Sequence, residues 1–166
     1  MKTWFTSDLH LGHRNIIGYC QRPFANVDEM NSGLIARWND RVAPEYKVYV
    51  LGDFSLHGKA FQLDAWLAQL RGTKHLVRGN HDNRKALKQC RGWASINELL
   101  DVTVDGRKLR LFHYPIEDWR GPRVLLHGHR HSAEFRTGPF SRDVGVDPHG
   151  YRPIALADLD LPPRGE

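Results

Sequence analysis

Short apolar runs alternate with polar turns along this chain, and the turns collect its chemistry. Thr3 to Ser7, Lys47 to Leu51 and Lys74 to Arg78 are runs of aromatic, β-branched and aliphatic residues that predict strands. Each stops in a polar turn: Asp8 to Asn15 with Gly12 as its flexible point, Gly52-Asp53-Phe54, and Gly79-Asn80-His81-Asp82. Between the first two runs Met30, Leu34, Ile35, Trp38 and Val42 recur at helical spacing. They predict a helix capped by Asn26 or Asp28, running to about Val42 and ended by Pro44. Gly58 to Leu70 predicts a second helix, with Phe61, Trp66, Leu67 and Leu70 on its buried side and Gly72 as its stop. Asn83 to Gln89 predicts a short basic one.

The second half changes character. Leu100 to Val104 and Lys108 to Phe112 flank Asp105-Gly106, a dipeptide suited to a type I′ turn, and predict a hairpin. Arg123 to Leu126 and Asp143 to Val146 predict further strands on either side of a loop from Ser132 to Ser141. Ile154 to Leu159 predicts a last strand or short helix. A strand–helix alternation followed by a strand-rich half points to a sheet-rich α/β domain with mixed strands. Trp4, Trp38, Trp66 and Phe61 are assigned to its core. At 166 residues the chain suits one domain, over 1–161, with 162–166 as a loose tail.

Composition narrows the class. Hydrophobic residues at 40% and charged residues at 26% are ordinary for a soluble globular protein. No run approaches the roughly 18 apolar residues of a membrane helix, so no membrane partner is expected. Asp8, His10, His13 and Arg14 interrupt any signal-peptide pattern. Cys20 and Cys90 are the only cysteines and form no framework, which favours a reducing compartment and hence the cytoplasm. Lys and Arg total 24 against 19 Asp and Glu, a formal +5 that favours anionic partners. Arg71, Lys74, Arg78, Lys85, Lys88 and Arg91 are either a track for nucleic acid or solvated faces.

The chemistry lies at the strand ends, which deliver Asp8, His10, Asp53, Asn80, His113, His129 and His131. Oxygen and nitrogen donors without a thiolate suit Mn, Fe, Zn or Ni better than a Cys-rich zinc site. Seven candidates exceed the needs of one tetrahedral ion. Two ions roughly 3.5–4 Å apart, sharing one carboxylate, would use them and would clamp a phosphate. Taken singly, each residue has a plainer reading: a turn cap for Asp8 or Asn80, a structural His113, a surface tract for His129 and His131. Their recurrence at five strand ends weighs against those readings, except at His113, where a lone His before Tyr-Pro taken alone is more often structural. His127 is expected to be buried or to support its neighbours. His13, Arg14, Asn15 and Arg84 are candidates for substrate contact, with loop polarity or a solvated helix charge as the alternative.

The ordered blocks SDLH, GDF, GNHD, a lone His and GHRH resemble the calcineurin-like metallophosphoesterases from about Thr3 to His131. The opening SDLHLGHRNII further resembles a small bacterial and phage-type branch. The resemblance implies a four-layer αββα sandwich of two mixed sheets with helices outside. It also implies a first metal on Asp8, His10 and His131, a second on Asn80, His113 and His129, and Asp53 bridging them. His81 would be the general acid and Asp82 would orient it. Leu56 stands where many relatives carry Asp or Asn, and His57 beside it is either a surface residue or a substitute polar contact. The activity implied is that of a dinuclear metal-dependent phosphohydrolase, with a hydroxide shared by the metals as nucleophile. Phosphodiesters are preferred as substrates. Rival readings are a phosphomonoesterase or protein phosphatase, a nucleic-acid end-processing nuclease on the same site, and a non-catalytic metal-binding scaffold. The expected cofactors are two divalent ions, Mn first and Fe, Zn or Ni after it. The expected partner is a phosphate ester, nucleotides and nucleic acids included. Oligomeric state is left open by the residues.

Overall fold

The computed structural model describes residues 2–56, 58–132 and 134–163. His57 and residues 164–166 lie outside them, and with them the polar alternative to Leu56 and the end of the expected tail. The elements run β1 (Thr3–Thr6), α1 (Ile16–Tyr19), α2 (Val27–Arg41), β2 (Lys47–Val50), α3 (Ala60–Gln69), β3 (Thr73–Val77), α4 (Arg84–Gln89), β4 (Ser95–Asn97), β5 (Leu99–Val104), β6 (Arg107–Phe112), β7 (Val124–His127), β8 (Ser141–Asp143) and β9 (Ile154–Ala155). Strands pair as β4-β3-β2-β1-β9 in one sheet and β5-β6-β7-β8 in the other. Both sheets are mixed. β1 to β4 pair in parallel with β9 antiparallel, and β6 to β8 pair in parallel with β5 antiparallel.

Successive side chains of a strand point to opposite faces, and this sorts the apolar residues into two cores. Trp4, Val48, Val50 and Leu76 face Met30, Leu34 and Trp38 of α2 and Leu63 and Leu67 of α3. Phe5, Tyr49, Leu51 and Val77 face Leu109, Leu111, Val124 and Leu126 of the second sheet. The two sheets therefore pack face to face, with helices on the outer side of the first. The chain from β5 to β8 contributes no α-helix among the described residues. There a loop lies over the sheet instead, with Arg110 of β6 donating to the Arg120 carbonyl. No helix of the described residues is long and apolar enough to cross a membrane.

The local reasons match the sequence in most elements. Asn26 caps α2 by accepting the Glu29 N–H, and Glu29 accepts the Ala25 N–H in return. Asn83 caps α4. Asp105 and Gly106 both take positive φ, at 49° and 75°, as a type I′ turn requires. The run from Ile154 yields both expected forms, a two-residue strand and then a 3₁₀ turn over Leu156–Asp158.

Three expectations are corrected. Phe61 is 68% exposed, and Leu63 joins Leu67 and Leu70 in the core instead. Two residues turn an α-helix by about 200°, so Phe61 and Leu63 cannot share a face. Trp66 is only half-buried. The late strand is Ser141–Asp143, earlier than expected. The residues after it cross between sheets: Val144 N–H bonds the His127 carbonyl, and Val146 N–H bonds that of Ser7. β4 was not anticipated, being a three-residue edge strand with Ile96 exposed. Half of the basic positions are tied into the fold. Lys74 donates to the Leu67 and Leu70 carbonyls, Arg71 bonds Asn39, and Arg78 bonds Glu98.

Candidate metal centre

Parallel pairing of β1, β2 and β3 brings their C-terminal ends to one edge, where α/β sheets place their sites. The turn after β1 then runs beside the turn after β2. Asp8 N–H bonds the Gly52 carbonyl, and His10 N–H bonds that of Asp53. β6 and β7 end against the same edge, where the His129 N–H donates to Asp8 Oδ2 at 2.9 Å. Asp8, His10, Asp53, His129 and His131 all have positive φ, between 52° and 72°. Non-glycine residues in that region each cost on the order of 1–3 kcal/mol and cluster at functional sites. The left-handed turns direct five chemically able side chains into one pocket. Close approach explains two of the motif glycines. A Cβ on Gly79 would collide with Asp53 Oδ1, and one on Gly128 with Ser7 Oγ and Asp8 Oδ2.

The structure gathers the seven candidates into two groups about Asp53. Donor atoms of Asp8, His10 and His131 lie within 4.8 Å of one another, and so do those of Asp53, His113 and His129. Asp53 Oδ1 accepts the His81 N–H, which leaves Oδ2 facing inward. That oxygen is 3.7 Å from His10 Nε2 on one side and 3.4 Å from His113 Nε2 on the other. Asn80 Oδ1 is 2.9 Å from the same His113 nitrogen. Asp8 Oδ1 and His10 Nε2 are buried without a hydrogen-bond partner. Buried polar atoms are rarely left so, and an acceptor oxygen and a ring nitrogen facing one another 3.9 Å apart are what a bound cation would satisfy. The residues present therefore fit divalent ions.

Electrostatics agree with that fit at His10 and Asp53. Burial depresses the His10 pKa to about 3, so its ring is neutral and able to ligate. Burial also acts on Asp53, but hydrogen bonding and charge from His113 outweigh it and hold the carboxyl at about 2. Burial lifts Asp8 to about 7, only partly opposed by His131 and His113, which marks a carboxylate short of positive charge. For His131 burial works downward, yet bonds to Asp147 and Cys20 and the charge of Asp8 raise it to about 10.

Two residues that motif reasoning missed build this side of the pocket. Asp147 Oδ2 lies 2.7 Å from His131 Nδ1. Arg22, fully buried, donates to both Asp147 oxygens and to the Leu9 and Asp8 carbonyls. A carboxylate behind a ligating imidazole fixes its tautomer and raises its basicity. Neither residue lies in a ligand block, and a loop arginine before a proline gives no local sign of burial.

The remaining candidates separate. Asp82 does not orient His81: its carboxylate accepts the N–H groups of Asp53, Phe54 and Gly79. Three backbone donors consume it, and it holds the Asp53 turn against the Gly79 turn. The carboxylate oxygen near His81 Nε2 is Asp53 Oδ2, at 4.0 Å. His127 is buried with Nδ1 on the Gly128 carbonyl. His13 lies beside the pocket, its Nδ1 3.5 Å from that of His10. Arg14 and Asn15 line an adjoining cleft, and Arg84 pairs with Glu98 on the surface.

Similarity to known proteins spans most of the chain. An uncharacterized protein of Methanocaldococcus jannaschii is 34% identical over 93% of this chain and 87% of its own. The gene 66 protein of Mycobacterium phage D29 is 35% identical over 87% of each. A crystal structure of an Aquifex aeolicus protein of unknown function superposes with a TM-score of 0.75 at 25% identity. It covers 96% of this chain and 97% of that one. Residues 1–147 match the sequence profile of the calcineurin-like phosphoesterases. With a pocket of oxygen and nitrogen donors at the strand ends that this profile spans, the chain belongs to the calcineurin-like phosphoesterase family and is a metal-dependent hydrolase of phosphate esters.

Proposed function

We propose that the protein is a dinuclear phosphodiesterase. Asp8, His10 and His131 would hold one divalent ion, Asn80, His113 and His129 the other, and Asp53 would bridge them. The observation that carries this reading is the placing of Asp53 Oδ2 between His10 Nε2 and His113 Nε2, at 3.7 and 3.4 Å, with a ligand group on each side. Bound divalent ions would supply positive charge for the phosphoryl oxygens and a water ionised near neutral pH. The donor set makes manganese the first metal to test.

The chain's own groups do the rest. Asp53 is held ionised and immobile by the His81 N–H on Oδ1 and the His113 ring near Oδ2. His81, with a side chain 38% exposed, stands at the mouth of the pocket. There it donates a proton to the leaving oxygen. Buried Asp8 and His10 form the floor, and Asp82 keeps the two turns that carry Asp53 and Asn80 in register. An open mouth suits an ester with substituents on both sides of phosphorus, which favours diesters over monoesters.

The test is a screen of manganese-loaded protein on nitrophenyl diesters and monoesters, with metal content measured on the same samples. Diester turnover with two ions per chain is expected. Turnover of monoesters alone removes the diesterase reading, and full activity in Asp53→Ala removes the bridged site.

A further inference from the structure

We propose that Tyr19 and Tyr114 are stacking platforms on either side of the phosphate, and that the substrate is a nucleotide diester, in its fullest form a single-stranded oligonucleotide with a base on each tyrosine. This rests on the phosphodiesterase reading and adds the substrate class to it.

Five large apolar or aromatic side chains are exposed among the described residues, and two of them border the site. Tyr19, at the end of α1, is 75% exposed. Its ring stands edge-on to His13 at 6.3 Å between centroids, and the His13 ring lies 5.4 Å from His10 and 6.1 Å from His81. Tyr114 is 37% exposed, edge-on to His113 at 4.8 Å and to His129 at 4.9 Å. One tyrosine thus flanks the His10 side of Asp53, and the other flanks the His113 and His129 side. A monoester has one arm and needs one flank. Two platforms match the two arms of a diester.

The surroundings of Tyr19 name the arm. It borders a cleft of about 770 Å³ with Arg14, Asn15 and Asn26, a size within the usual range for small-molecule sites. Arginine offers a forked donor to a neighbouring phosphate, and asparagine side chains can meet base edges. Aromatic platforms with a nearby cation bind single strands with little sequence preference, because every base has a π-face. The formal charge of +5 favours the same anionic partner.

The test uses two diesters with the same leaving group on manganese-loaded protein: thymidine 5′-(p-nitrophenyl phosphate) and methyl p-nitrophenyl phosphate. The nucleoside ester should have a KM about tenfold lower, the range that base–aromatic stacking supplies. Tyr19→Ala with Tyr114→Ala should erase that advantage, while the double Phe variant should keep it within about twofold, since a phenyl face still stacks. Equal KM values in the native protein, or an advantage that survives the double Ala variant, overturns the proposal. If neither diester is cleaved and monoesters are, the diesterase reading fails by itself. Fluorescence anisotropy with a labelled oligothymidylate then decides the platforms separately. Binding that weakens about 100-fold in the double Ala variant supports them, and absence of binding to the native protein overturns them.

Discussion

His131 and His113 stand on opposite sides of Asp53. Each ring is fixed through Nδ1, by partners of different kinds. For His131 the partner is the Asp147 carboxylate at 2.7 Å, itself held by buried Arg22. For His113 it is the Leu51 carbonyl at 2.8 Å, a backbone group at the end of β2. A carboxylate partner makes an imidazole more basic and can be tuned by one substitution. A carbonyl partner is as permanent as the sheet that presents it. The first half of the pocket is therefore adjustable through side chains, and the second half is bound to the fold.

The two halves meet at Asp53, and a substitution there acts on both. Asp53→Ala should release both ions and abolish hydrolysis, measured as metal per chain and turnover on one sample. Next in size is His81→Ala, at a ring that packs edge-on to His10 at 5.2 Å between centroids and belongs to neither ligand group. It should lower kcat by about 10²–10⁴-fold with both ions retained, because general-acid catalysis is worth that much. Loss of metal in that variant would make His81 part of the ligand set instead.

The adjustable half can then be probed alone. Arg22→Met should destabilise the protein by about 3–5 kcal/mol in urea unfolding, since it removes the cation of a buried ion pair and leaves Asp147 Oδ1 and the Leu9 and Asp8 carbonyls without their donor. Asp147→Asn removes the other charge of the same buried pair. It keeps a hydrogen-bond acceptor for His131 but removes the charge, and should weaken one of two manganese-binding events about 10–100-fold while sparing the other. A titration in which both events weaken together would show that the halves are coupled through Asp53.

Residues show how much of this was legible. Met30, Leu34 and Trp38 recur at helical spacing and are buried on α2, and Asp105-Gly106 turns the hairpin as its composition requires. The gathering of Asp8, His10, Asp53, Asn80, His113, His129 and His131 was also legible, because each ends a strand and the strands of each sheet run parallel where it matters. Phe61 is exposed where its apolar character predicts burial, because that character alone does not say which side of a helix faces inward. Adjacency of Asp82 to His81 suggests a pair, but three backbone amides take the carboxylate instead.

What the residues determine by themselves is local: strand, turn, cap, and the kinds of donor atom each strand end carries. Arg22 on Asp147, Asp147 on His131, and Tyr114 beside His129 join positions that belong to different elements of the chain. Only packing decides those pairs, because a buried charge selects whichever partner the folded backbone brings within hydrogen-bond reach, and that choice leaves no periodic mark along the chain.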